Sequence, residues 1–194
     1  MFSNPLFIII YLNIIVWAVI PFRQIGKKYF YYFYFNTIGD YLTIYMRFIF
    51  HSNSNFFYIP TSILMLILIQ DAYYIKKFRL FIILCFIVLS ILFFKLNLEG
   101  YVILYGLIHV LILVTLFKDL IKIFKREQTI SIFISVIILY EAVDTLNIFG
   151  TFSGASNGYF YFYASVAFEI LIGFFFWIKA DNPKLLIKLR ENLT

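Results

Sequence analysis

The sequence predicts an all-α membrane protein: a bundle of about seven transmembrane helices, N-terminus outside and C-terminus in the cytoplasm. Three observations lead there. Of 194 residues, 63% are hydrophobic and 13% charged, against ~25% charged in an ordinary soluble domain. Apolar stretches recur seven times at the ~20-residue length that a bilayer core requires. The basic residues fall almost wholly on alternate connections between those stretches.

The seven stretches cover about 3–22, 29–50, 55–75, 78–95, 100–118, 129–149 and 158–179. The first lacks a basic leader and a small-residue cleavage site, so it reads as a span and not as a signal peptide. The second is interrupted by Asn36, Thr37, Asp40 and Arg47. Without it, six spans would remain and both termini would share one side.

Loop charges support seven. Arg23, Lys27 and Lys28 follow span 1, and Lys76, Lys77 and Arg79 follow span 3. Lys118, Lys122, Lys125 and Arg126 follow span 5, and Lys179, Lys184, Lys188 and Arg190 follow span 7. Only Arg47 and Lys95 fall toward the other side. Cytoplasmic loops carry the Lys/Arg excess, and the alternation holds at every loop only with all seven spans.

The outer connections, at 51–55, 95–100 and 150–158, are short and nearly uncharged. They cannot form an ectodomain, so an external ligand must bind among the helices or at their rim. Residues 181–194 form a basic cytoplasmic tail. There Leu185, Leu186 and Leu189 alternate with Lys184, Lys188 and Arg190, the pattern of a short amphipathic segment lying on the inner leaflet. No internal repeat of the transporter kind is visible. The abundance of Phe (26) and Tyr (16) extends through every segment, as an AT-rich genome would produce.

Composition also excludes chemistries. The net charge of +6 comes from interhelical loops, so nucleic acid is not an expected partner. The single cysteine, Cys85, forms no intramolecular disulfide and no zinc pattern. Haem held by two histidines does not suit His109 at mid-membrane and His51 at the rim, and a retinal lysine is missing because Lys179 stands at the cytoplasmic end of span 7. A zinc hydrolase of the alkaline-ceramidase type needs more histidines than these two. No phosphate-binding loop, GxSxG or HExxH occurs, and no cofactor is expected.

The informative residues are the polar ones at bilayer depth, where a charged side chain costs ~2.5–3.5 kcal/mol on insertion scales. Span 2 carries Asn36, Asp40, Thr43 and Arg47 at spacings of one helical face. Asp40 and Arg47 are candidates to pair through water or a bridging group, and the same stripe serves equally as polar glue between helices. Span 6 carries Glu141 and Asp144 at i,i+3, followed by Thr145 and Asn147. Two carboxylates that close in a low dielectric do not both ionise readily, which suits proton coupling or cation binding. Asp144 could also sit hydrated at the outer interface. Span 7 carries Glu169 among small residues, with no charge partner on its own helix, so Arg47, His109 or a proton must satisfy it. Span 5 places Tyr105 and His109 one turn apart. The ligand-binding or proton-coupling candidates are thus Asp40, Arg47, His109, Glu141, Asp144 and Glu169.

The runs Phe35-Asn36-Thr37-Ile38-Gly39-Asp40 and Glu141-Ala142-Val143-Asp144-Thr145-Leu146 resemble the two intramembrane aspartate motifs of the lysoplasmalogenase family. That resemblance implies Asp40 and Asp144 as the acids of vinyl-ether lysolipid hydrolysis. The whole-chain layout, with Asn55-Phe56-Phe57-Tyr58 leading into span 3 and an aromatic start to span 7, resembles uncharacterised small seven-span bacterial membrane proteins and implies no activity.

Three functions follow as expectations. The preferred one is non-enzymatic: a membrane-embedded sensor or a complex subunit. The alternatives are a small-solute or proton-coupled carrier and a lysolipid hydrolase. The expected partners are the lipid bilayer and either another membrane protein or a further copy of the chain.

Overall fold

The computed structural model describes residues 5–50, 57–70, 72–80, 82–84, 87–88, 98–152, 158–179 and 185–188. Helix α1 runs Pro5–Arg23 and α2 Phe30–Phe50, followed by α3 Tyr58–Leu68, α4 Ala72–Lys77 and α5 Leu98–Glu127. Strand β1 (Thr129–Ser131) precedes α6 (Ile132–Phe152) and α7 (Gly158–Ile178), and β2 is Leu186–Lys188. The chain is predominantly helical, as the sequence indicates.

Six helices pack in a closed ring. Helix α1 lies against α2, α2 against α3, α3 against α5, α5 against α6, α6 against α7, and α7 returns to α1. The turn from α1 to α2 depends on Gly26, whose φ of 75° is strained for residues with a Cβ, and it is closed by Lys27 N–H donating to the Gln24 carbonyl at 2.9 Å. Pro21 has no N–H to offer the carbonyl four residues back. That carbonyl, of Trp17, instead accepts from Thr37 Oγ1 on α2 at 3.1 Å, so the break in one helix ties it to the next. Gly39 lets α2 approach α3, because a Cβ there would stand 2.9 Å from Thr61 Oγ1.

The exterior of the ring is apolar. On α5, Ile103, Leu107, Leu111, Val114, Phe117 and Ile121 are all exposed, at the three- and four-residue steps of one helical face. Polar side chains go inward: Thr37, Ser62, His109, Glu141, Thr145 and Ser165 are buried. Between this polar interior and the Lys28 end of the bundle lies an aromatic layer. Trp17 packs on Tyr140 with ring centroids 4.4 Å apart, and Phe176 packs on Phe33 at 4.8 Å and on Phe133 at 5.3 Å.

Several elements depart from the sequence reading. A single span over 55–75 is replaced by α3 and α4. Helix α3 ends at Leu68 because the polar Gln70 closes its last turn: Gln70 N–H donates to Ile67 O, and Gln70 Nε2 to Leu66 O. Helix α5 does not stop near 118 but continues to Glu127. Past 118 its Lys, Leu, Arg and Glu residues favour helix, and no Gly or Pro interrupts the extension. Gln128, at φ 53°, then turns the chain in the left-handed conformation usual after a helix.

Strand β1 occupies the first three residues expected to be helical. It pairs antiparallel with β2 in the register Thr129↔Lys188, Ile130↔Ile187 and Ser131↔Leu186. The tail segment expected on the inner leaflet therefore includes a strand, whose backbone is paired by its ladder with β1. Ser131 Oγ accepts from Ile134 N–H at 3.4 Å, starting α6 with a serine cap.

Within span 78–95, residues 79–80, 82–84 and 87–88 are helical. Cys85, the connection expected at 51–55 and residues 153–157 of the one expected at 150–158 lie outside the described residues. Among the described residues, two stretches, Glu99–Glu127 and Ile132–Gly150, are long and apolar enough to cross a membrane by length and composition.

Candidate functional site

The polar interior is centred on His109. Helix α5 carries Tyr105 and His109 one turn apart, and their rings meet edge to face at 4.5 Å. His109 is 1% exposed and Glu141 fully buried. The imidazole Nδ1 lies 2.7 Å from Glu141 Oε1 and 3.3 Å from Asp144 Oδ2. The i,i+3 spacing on α6 thus brings both carboxylates to one nitrogen. Across the ring, Nε2 lies 3.1 Å from Ser62 Oγ on α3.

Hydrogen-bond logic assigns the protons. Both neighbours of Nδ1 are carboxylate oxygens, which accept, so Nδ1 carries a hydrogen. With a neutral ring, Ser62 Oγ–H donates to Nε2. With a doubly protonated ring, Nε2–H donates and the Ser62 hydroxyl turns to another acceptor. The second Glu141 oxygen accepts from Tyr32 OH on α2 at 2.6 Å, and the Glu141 backbone carbonyl accepts from Thr145 Oγ1 at 2.7 Å. Four helices are thereby joined through one imidazole and one carboxylate, in a chain running Ser62, His109, Glu141, Tyr32.

The remaining acids lie around this centre. Asp144 is within electrostatic range of Asp40, Glu141 and Glu169. Asp40 on α2 and the Tyr58 side chain of α3 interact directly. Glu169 on α7 accepts from Asn13 Nδ2 on α1 at 2.8 Å. Asn36 Nδ2 donates to Tyr140 OH at 3.0 Å. Every helix of the ring contributes a polar side chain to this region.

Of the six sequence candidates, His109, Glu141 and Asp144 are in direct contact, and Asp40 and Glu169 are near enough for their charges to be felt. Asp40 and Asp144, the acids implied by the lysoplasmalogenase resemblance, thus lie within electrostatic range of each other. The Arg47 side chain lies outside the described residues, so the Asp40–Arg47 pairing lies outside them as well. Glu169 was expected to be satisfied by Arg47, His109 or a proton. The donor it meets is Asn13, an amide in the middle of the first apolar stretch.

Tyr32, Ser62, Asn13 and Tyr58 were not singled out from the sequence. A signal existed for Tyr32, which extends the stripe of Asn36, Asp40 and Thr43 by one helical turn. Ser62, beside Thr61 in an otherwise apolar run, gave a fainter one.

The arrangement can hold and relay a proton between two carboxylates, an imidazole, a hydroxyl and a phenol. Among the described residues, no group of three His, Cys, Asp or Glu side chains is placed to hold a metal ion. No family model, curated protein or solved structure matches the chain.

Proposed function

We propose that this chain is a seven-span inner-membrane protein that acts without catalysis as a proton-responsive sensor or the sensing subunit of a complex. The observation that carries the reading is the burial of His109 between Glu141 and Asp144 on α6 and Ser62 on α3, at 2.7, 3.3 and 3.1 Å. Binding a proton there reverses the donor and acceptor roles of the Ser62 bond. Because Ser62 and His109 belong to different helices, a local charge change becomes a change in how α3 packs on α5. Switches of this kind bias a packing arrangement through a buried histidine.

Membrane residence is supported by the distribution of polarity. The ring turns large aliphatic side chains outward and its acids inward, the reverse of a water-soluble domain. Helices α1, α2 and α7, of 19, 21 and 21 residues, would extend about 29–32 Å at 1.5 Å per residue, near the ~30 Å of a bilayer core.

Trp17, packed on Tyr140 next to Glu141, is a built-in reporter. In a Trp177→Phe background reconstituted in liposomes, Trp17 fluorescence is expected to change sigmoidally with pH. His109→Gln and Glu141→Gln should abolish the change. A transition that survives both substitutions would remove His109 as the sensing group.

One observation favours a second reading, a proton-coupled carrier for a small cation. Asp40, Asp144 and Glu169, on three different helices, lie within one another's electrostatic range and could present a cation site to the same interior. That reading requires flux. Acidification of liposomes loaded with a pH dye, dependent on an added cation and lost in Asp144→Asn, would replace the sensor reading with it.

A further inference from the structure

The Lys28 end of the ring holds a second polar site, joined to the centre by α5, on which Asp119 follows His109 by ten residues. There a cleft of about 480 Å³ opens between α2, α3 and α5. Lys27, Lys28, Lys122 and Arg126 line it, with Asp119 as a carboxylate and Gln70 as an amide. Asp119 is already engaged: Lys28 Nζ donates to it at 2.7 Å and Tyr29 OH at 3.0 Å. Gln70 Nε2 bonds to Thr115 Oγ1 at 3.0 Å, which fixes the end of α3 against α5.

We infer that this cleft binds a phosphate-bearing anion, with Lys27, Lys122 and Arg126 as its cationic contacts and the Lys28–Asp119 pair as its floor. Arg126 bonds its neighbour Glu127, and the four cations of the lining still outnumber the two carboxylates they meet, Asp119 and Glu127, so an anion gains from entering. Asp119, Lys122 and Arg126 recur at three and four residues on the extension of α5, which puts them on one face of that helix. The 30 residues of α5 span about 45 Å, some 15 Å more than a bilayer core. In the proposed membrane orientation the cleft therefore lies at the level of the cytoplasmic headgroups, where basic pockets between helices take anionic lipid heads. A free phosphate compound from the cytoplasm offers the same chemistry. The inference does not depend on the role given to His109.

Native mass spectrometry of the full chain in detergent tests it, with phosphatidylglycerol, phosphatidylcholine and pyrophosphate titrated separately. The expected result is preferential binding of phosphatidylglycerol, pyrophosphate or both, weakened about ten-fold or more in Lys122→Gln/Arg126→Gln. Lys76→Gln/Lys77→Gln, which removes the same charge away from the cleft, should leave binding unchanged. Phosphatidylglycerol binding without pyrophosphate binding assigns the site to a lipid head. Pyrophosphate binding with the same dependence on Lys122 and Arg126 assigns it to a free phosphate. Equal weakening by both variant pairs, or neither anion binding better than phosphatidylcholine, overturns the proposal.

Discussion

His109 Nδ1 and Glu141 Oε1 stand 2.7 Å apart on adjacent helices of the ring, both shielded from solvent. A buried acid and base at this distance hold each other in place only while every remaining donor and acceptor is also served. Here Tyr32 serves the second Glu141 oxygen and Ser62 the second His109 nitrogen. The contact therefore couples four helices, and its removal should affect more than one seam.

Glu141→Ala deletes the acceptor of both His109 and Tyr32. Breaking one side of a buried pair costs roughly 3–5 kcal/mol in soluble proteins. Glu141→Gln keeps an oxygen and should cost about 1 kcal/mol. Thermal unfolding in mild detergent should rank the wild type above Glu141→Gln, and Glu141→Gln above Glu141→Ala. A double-mutant cycle with His109→Ala should give a coupling of ~1 kcal/mol or more. Strictly additive losses would show that the two side chains do not act together.

Asn13 and Glu169 offer a charge test in the same interior. Asn13→Asp replaces the 2.8 Å amide donor with a second carboxylate. At low pH the pair can share a proton and stay bonded. At high pH both are charged and repel. The variant should unfold near the wild-type temperature at pH 5 and progressively lower as pH rises toward 9, whereas the wild type retains its neutral donor throughout. An unchanged difference between variant and wild type across that range would mean that the two side chains do not meet.

The sequence already marked most of this interior, because an acid or histidine in an apolar run has few places to go. Periodicity put Glu141 and Asp144 on one face, and the same argument extended one turn would have included Tyr32. What it could not supply was the partner on another helix. Nothing in the apolar first stretch ties Asn13 to Glu169, since that pairing depends on α1 closing the ring against α7. Helix ends were poorly legible for a related reason. Hydropathy follows the change of solvent, whereas the backbone follows hydrogen bonding and propensity, so α5 runs on past its apolar part and α3 stops within one. The short β1–β2 pairing depends on contact between segments more than fifty residues apart, which no local pattern reveals.

Closure of the ring rests on Gly173. A Cβ at this position would stand 2.5 Å from Val16 Cγ1 and 3.3 Å from Trp17 Nε1. Gly173→Ala should therefore destabilise the α1–α7 seam by ~1–3 kcal/mol, the usual range for overpacking, and shift the emission of Trp17. Val16→Ala removes the obstructing methyl groups. The double variant should regain most of the stability lost by Gly173→Ala, measured by thermal unfolding. If it regains none, the seam is not packed as described.

The seven-span orientation can be tested with the chain's own cysteine economy. Cys85→Ser leaves a background without thiols, into which single cysteines can be placed. With seven spans, Ser3→Cys and Ser54→Cys should react with a membrane-impermeant maleimide on intact spheroplasts. Lys125→Cys and Thr194→Cys should react only after permeabilisation. The decisive pair is Ser3 and Thr194, because removing α2 from the count would bring both termini to one side. Helix α2 has 21 residues, enough for about 31 Å, and its Asn36 and Asp40 turn toward Tyr140 and Tyr58. It can therefore cross the bilayer with Asn36 and Asp40 sheltered by the bundle, and opposite labelling of the two termini is the expected result. Matched labelling of Ser3→Cys and Thr194→Cys would reduce the chain to an even number of crossings.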